Sequence, residues 1–116
     1  ANETVLNYAL TLEDLEADLY RQALNAATGR PLAAPLDAAV PTGNSTGAYT
    51  LQLGAGGLSA AAANAGFLYL VQYAYIEAAH RDFLRSALNS FGAPVATPNQ
   101  FGYQLPAGAG TDLRSV

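Results

Sequence analysis

The sequence predicts an all-α protein built from two long antiparallel helices joined by a long crossover connection. Two segments, 2–28 and 59–91, carry apolar residues at the three-and-four spacing of amphipathic helices. The segment between them, 29–58, is rich in Gly, Pro, Ala, Ser and Thr, which is typical of an irregular connection. The last segment, 92–116, is again rich in Gly and Pro, and we expect it to be irregular. We treat 1–116 as a single domain.

The composition excludes several classes of function. The 116 residues contain no cysteine, which excludes disulfides, thiolate metal sites and cysteine nucleophiles. The net charge of −4 offers no basic surface for nucleic acid. The glycine-rich run 53–57 lacks the spacing and the lysine of a phosphate-binding loop. Methionine is absent and the chain starts at Ala1, which fits either a shortened chain or export to the periplasm, cell envelope or extracellular space after loss of a signal peptide; we expect export.

Two triplets match the acceptor pattern for N-linked glycans. They are Asn-Glu-Thr at residues 2–4 and Asn-Ser-Thr at residues 44–46. Such triplets are common by chance, so the pattern carries little weight until its structural context is known.

The first helix has two adjoining apolar stripes, and a glutamate interrupts each of them. Glu13 breaks the stripe of Leu6, Leu10, Ala17, Tyr20 and Leu24, and Glu16 breaks the stripe of Val5, Ala9, Leu12, Leu19 and Ala23. We expect the remaining side to be solvated, because it carries Asn7, Thr11, Asp14, Asp18, Gln22 and Asn25.

The second helix is apolar on most sides over its first half. A membrane span is disfavoured, because the stretch is dominated by Ala and Gly, contains Asn64 and Gln72, and lacks a basic flank at its start. A helix buried against other helices explains the composition better. Glu77 and His80 again interrupt apolar stripes, and they lie one helical turn apart.

These interruptions predict a metal site. Glu13 and Glu16 share one helix face, and Glu77 and His80 share another. A Glu-x-x-His pair with a glutamate from a neighbouring helix is the ligand pattern of di-iron and di-manganese carboxylate bundles. Oxygen ligands with one imidazole suit iron or manganese.

Simpler interpretations stay open beside this one. Glu77 also has the spacing to form a surface ion pair with Arg81. His80 alone is more typical of a hydrogen-bonded core or boundary histidine. Tyrosines such as Tyr20 and Tyr73 can carry redox chemistry near a metal site, but the aromatic stripe Tyr69, Tyr73, Tyr75 and Phe83 is more typical of core packing.

The residues around these pairs resemble a known family. The segments "LNYALTLEDLEADLYRQAL" and "EAAHRDFLRSAL" resemble the first two helices of ferritin-like proteins, in particular the exported desiccation-related or stress-response group. The resemblance covers residues 5–28 and 66–93. It implies a helical bundle in which Glu13 is the first-helix ligand, Glu77 the bridging ligand and His80 the imidazole ligand. Glu16 matches a second first-helix glutamate with a less defined role.

The chain departs from that pattern in length. A ferritin-like bundle has four long helices, whereas this sequence predicts two. The second glutamate and second Glu-x-x-His pair of a dinuclear site are missing. We expect the bundle to be completed by another chain, as an oligomer or assembly subunit, or by a missing C-terminal half packing on the second helix, because a lone pair would expose a large apolar surface.

Two functions follow as hypotheses. The first is an exported ferritin-like protein that binds or oxidises iron or manganese through Glu13, Glu16, Glu77 and His80. The alternative is a non-catalytic structural subunit of a cell-envelope or multi-protein assembly, with the same bundle and a degenerate site. The sequence leaves open whether the protein is an enzyme.

Overall fold

The computed structural model describes residues 2–52 and 60–92, which form two α-helices and the crossover between them. Helix α1 spans Asn2–Thr28 and helix α2 spans Ala60–Ser90. Residues 53–59 and 93–116, the end of the predicted connection and most of the predicted C-terminal segment, lie outside the described part. Residues late in α1 contact residues early in α2, so the two helices are antiparallel and the predicted all-α fold is confirmed.

The end of α1 is closed by a glycine turn. Gly29 has a φ of 70°, a left-handed conformation that favours glycine. The N–H of Gly29 donates to the carbonyl of Ala26 and the N–H of Arg30 to that of Asn25, the bonding pattern of a Schellman cap. A side chain at Gly29 would also meet the amide of Gln52, whose N–H bonds the carbonyl of Ala27 at 2.9 Å. The cap therefore ties the crossover to the helix end.

The core lies where the crossover packs over the helix pair. It is formed by buried residues of α1, the crossover and α2, namely Leu24, Ala27, Tyr49, Phe67, Leu70, Val71 and Ala74. The crossover packs along the helices through Tyr49, Leu36 and Leu51, whereas its residues Leu32 and Val40 are exposed.

A hydrogen-bonded ring of backbone and tyrosine groups holds the crossover in place. The N–H of Asp37 donates to the hydroxyl of Tyr49 at 2.8 Å, and the hydroxyl of Tyr75 on α2 donates to the carbonyl of Asp37 at 2.9 Å. The two hydroxyls lie 3.2 Å apart. The guanidinium of Arg30 lies over the Tyr49 ring and pairs with Asp37 at 3.0 Å. These bonds hold the crossover to α2, whereas the bond between Gln52 and Ala27 holds it to α1.

The predicted solvated side of α1 is wrong at two positions. Asn25 is fully buried, because its side-chain amide donates to the carbonyls of Leu32 and Ala34 in the crossover. Asp14 is only 5 % exposed and pairs with Arg85 of α2 at 3.0 Å. The crossover runs over this side of the helix and α2 supplies the cation, so polar residues that looked solvent-facing are buried with partners.

The apolar residues on the other side are correspondingly exposed. We call this surface the open face: on α1 it contains Val5, Tyr8, Leu12, Leu15 and Leu19, and on α2 Tyr69, Tyr73, Ile76 and Phe83. Core packing was predicted for the aromatic stripe of α2, but of that stripe only Tyr75 packs against the described core. Within the described residues, neither helix combines the length and apolar character needed to cross a membrane.

Replacing Arg85 by alanine tests the buried ion pair. Burial raises the pKa of Asp14 and the Arg85 guanidinium opposes that rise, so the variant leaves a buried carboxylate without its cation. We expect a loss of about 1.5–3 kcal/mol in the free energy of unfolding, measured by urea denaturation.

The matched control is Arg81→Ala, one turn earlier on α2. Arg81 pairs with the exposed Asp82, and such surface pairs contribute about 0–1 kcal/mol. Its charge also acts on Asp14, but more weakly than that of Arg85, so we expect a smaller loss. Equal losses in the two variants would contradict the role given to the Asp14–Arg85 pair.

Candidate metal centre

The antiparallel packing brings three of the four predicted ligands together beside the open face. Glu13 projects from the middle of α1 toward α2. Glu77 and His80 project toward it from α2, where a spacing of three places them on one face. One oxygen of each glutamate and one ring nitrogen of His80 lie within 4.8 Å of one another.

The three side chains of this group are close together and differ in how far they are buried. Nδ1 of His80 lies 3.6 Å from Oε2 of Glu77 and 3.8 Å from Oε2 of Glu13. The Glu77 side chain is 15 % exposed and that of Glu13 is 24 %, whereas His80 is 56 % exposed. The carboxylates therefore lie between the helices, and the imidazole forms the solvent-facing edge.

The two carboxylates lack the partners that buried charges need. Oε2 of Glu13 and Oε2 of Glu77 are both buried, and neither has a hydrogen-bond donor among the described residues. When it is protonated, Glu77 shares its proton with the Glu13 carboxyl group in a hydrogen bond. This bond, then burial, then the charge of Glu13 and the nearby Glu16 carboxyl group raise the pKa of Glu77 to about 8. Without a cation, Glu77 therefore holds a proton at neutral pH.

Glu16 lies at the margin of this group. Its side chain is exposed, yet its carboxyl group is close enough to Glu77 to raise the pKa of that residue. The structure thus places three carboxyl groups and one imidazole in one region, with Glu16 outside the closest set. That these four residues are metal ligands stays a prediction.

The donor set fits a divalent cation. Twice a metal–ligand bond of about 2.0–2.4 Å spans about 4–5 Å, so three atoms this close can share one ion after small side-chain rotations. A cation would compensate the two buried carboxylate oxygens, whose desolvation otherwise favours protonation. The competing surface pair does not form, because the guanidinium of Arg81 bonds Asp82 at 3.0 Å instead.

Two contacts near the site could not be predicted from the spacing of residues in the sequence. The Asp14–Arg85 pair joins residues 71 positions apart, and no local pattern links them. The rings of Tyr20 and Tyr73, one turn from Glu16 and Glu77 respectively, lie with their centroids 5.8 Å apart. The sequence singled out these two tyrosines, but only the helix pairing shows that they are in contact.

Replacing Glu77 by glutamine tests whether Glu77 carries the proton that it shares with Glu13 in metal-free protein. The unfolded chain loses the Glu77 proton near its ordinary pKa of 4.5, whereas the folded chain keeps it until about pH 8. Stability from this group is therefore fully present below about pH 4.5 and is lost as the pH rises toward 8. We expect the variant to show a flatter decline over this range and to be the more stable protein at pH 8.

The measurement is urea denaturation at a series of pH values in the presence of a chelator. Glu3→Gln removes an exposed carboxylate elsewhere on α1 and should keep the wild-type slope. Parallel profiles for wild type and Glu77→Gln would show that Glu77 does not carry the proton.

Comparison with known proteins identifies the family. A family model described as a ferritin-like domain matches residues 1–115. No curated protein and no solved structure gives a significant match. The family match agrees with the helical fold and with the resemblance of the two helix segments, while membership of the exported desiccation-related group stays a prediction. Because the match extends over almost the whole chain, this protein belongs to the ferritin-like domain family.

Proposed function

We propose that this protein binds a divalent iron or manganese ion through Glu13, Glu77 and His80, with Glu16 as a further carboxylate at the margin. The observation that carries the proposal is the pair of buried, unpartnered oxygens, Oε2 of Glu13 and of Glu77, beside an imidazole nitrogen. Buried carboxylates without donors need either a proton or a cation to compensate their charge. A proton would not need a third ligand, so the imidazole beside the two carboxylates favours a cation.

The donor types narrow the choice of ion. A set of carboxylate oxygens with one imidazole suits iron and manganese, and it lacks the thiolates that favour copper(I) or structural zinc. A bound ion of this kind supplies Lewis acidity and one-electron redox chemistry, so oxidation of ferrous iron is the activity that best fits the family. The chain's own contribution is to hold the ion between α1 and α2 and to release the Glu77 proton as the ion enters.

The exposed apolar residues of the open face favour a second helical unit that packs on this face. Nine large apolar side chains of the two helices remain exposed, and a large exposed apolar surface marks an interaction site. Three protein ligands also leave coordination positions unfilled. We propose that another chain, or further helices of the same polypeptide, packs on the open face and supplies the remaining ligands.

The alternative function is a structural subunit whose site binds no metal. The open face favours it too, because an assembly contact would use the same surface without any ion. Elemental analysis of purified protein distinguishes the two, since a structural subunit would contain no iron, manganese or zinc. We further propose that the chain is an exported member of the desiccation-related group, on the basis of its two helix motifs.

Metal binding is tested by titrating Mn²⁺, or Fe²⁺ without oxygen, in a calorimeter. We expect binding by wild type, and affinity at least about tenfold lower in Glu77→Gln and His80→Ala, because each removes one ligand. Wild-type affinity should rise with pH up to about 8, since the ion displaces the Glu77 proton.

The control is Asp82→Asn, which makes the same charge change as Glu77→Gln at an exposed position two residues from His80. It should leave the affinity unchanged. Equal effects of Asp82→Asn and Glu77→Gln would reduce the site to nonspecific charge attraction, and no binding by wild type would favour the structural subunit.

The open face is tested by a dye that fluoresces on exposed apolar surface. We expect strong dye binding by wild type and a marked loss in the double variant Leu12→Glu/Ile76→Glu, because each change places a charge within the face. Val40→Glu alters an even more exposed apolar residue, which lies in the crossover outside the open face, and should keep the wild-type signal. Identical signals from all three proteins would contradict an accessible apolar surface.

A further inference from the structure

The crossover contains a feature that metal binding does not explain, the triplet Asn44-Ser45-Thr46. Its pattern alone is weak, so its place in the fold decides whether it can act as an acceptor of N-linked glycan. An acceptor must lie on the surface, outside helices and strands, where a transferase can take the segment into its own active site.

The triplet meets this requirement. The N–H of Ser45 donates to the carbonyl of Thr42 at 3.2 Å, which places Asn44 at the third position of an exposed turn. Gly43, with a φ of 59°, precedes Asn44, and the space around its α-carbon is open. Neither the Asn44 side chain nor the Thr46 hydroxyl makes a hydrogen bond with the described part of the chain.

The turn also lies away from the candidate metal centre. It is held to α2 by Gln72, whose side-chain amide donates to the carbonyl of Gly43 at 3.1 Å. At about 100° per residue, Gln72 and Glu77 project from α2 in directions about 140° apart. The turn that carries Asn44 is therefore attached to a different side of α2 from the side that bears Glu77.

The second triplet, residues 2–4, has the opposite context. It forms the first turn of helix α1. A triplet held in a helix does not offer the irregular surface segment that an acceptor requires. The two triplets are equivalent in sequence and differ in structure.

We propose that Asn44 is an acceptor for an N-linked glycan and that Asn2 is not. In the transfer, Nδ2 of Asn44 forms a bond to the anomeric carbon of a lipid-pyrophosphate-linked oligosaccharide. The bond from that carbon to the pyrophosphate breaks, the lipid pyrophosphate leaves, and one amide proton passes to a carboxylate of the transferase. The inference is independent of metal binding, and it requires that the chain enter a glycosylating secretory compartment.

The test is expression of the full chain behind a cleavable secretion signal in a eukaryotic host. Intact masses of secreted and cell-retained protein are measured before and after digestion with a peptide:N-glycosidase. We expect one glycan on wild type and on Asn2→Gln, and none on Asn44→Gln or Thr46→Ala. Circular dichroism should be alike for all variants, because Asn44 is exposed.

Thr46→Ala is the informative variant, because it keeps Asn44 and removes only the hydroxyl that completes the triplet. Wild-type protein without a glycan in both fractions would overturn the proposal. So would a glycan that persists in Asn44→Gln and disappears in Asn2→Gln, or one on each asparagine.

Discussion

The arrangement of this protein depends on the packing of the crossover over one side of the α1–α2 pair. Three sets of hydrogen bonds fix the path of the crossover: the Schellman cap at Gly29, the two bonds from Asn25 and the ring of Tyr49, Tyr75 and Asp37. Because two helices form a layer with two sides, covering one side leaves the other open. The core, the open face and the position of the carboxylate cluster all follow from this choice of side.

Two neighbouring carboxylates of α1, those of Asp14 and Glu13, are buried beside different partners. Oδ1 of Asp14 pairs with Arg85 at 3.0 Å, so the protein itself supplies the opposing charge, although Oδ2 of Asp14 has no donor among the described residues. Glu13, one residue earlier, faces Glu77, and among the described residues no donor reaches the Oε2 atom of either. Buried charge that is already paired contributes to structure, whereas buried charge without a partner is typical of a binding site.

The open face and the carboxylate cluster belong to one surface. His80 is the most exposed of the three grouped candidate ligands and lies among apolar side chains of α2, so a unit that covered the face would also close the candidate site. Closing would exclude water and strengthen the electrostatic attraction between a bound ion and the carboxylates. The proposed assembly and the proposed metal binding would therefore be coupled, since both would use the same side of the helix pair.

The sequence by itself predicted the two helices, the long crossover and four candidate ligands, Glu13, Glu16, Glu77 and His80, because helical period and interrupted apolar stripes are local properties. It did not determine which side of α1 is covered. Both sides have helical spacing, and only the path of the crossover decides that Asn25 and Asp14 are buried while Leu12 and Leu19 are exposed. Likewise, the contact between Asp14 and Arg85 and the separation of Glu16 from the closest ligand set depend on how α1 and α2 pack, which no local pattern encodes.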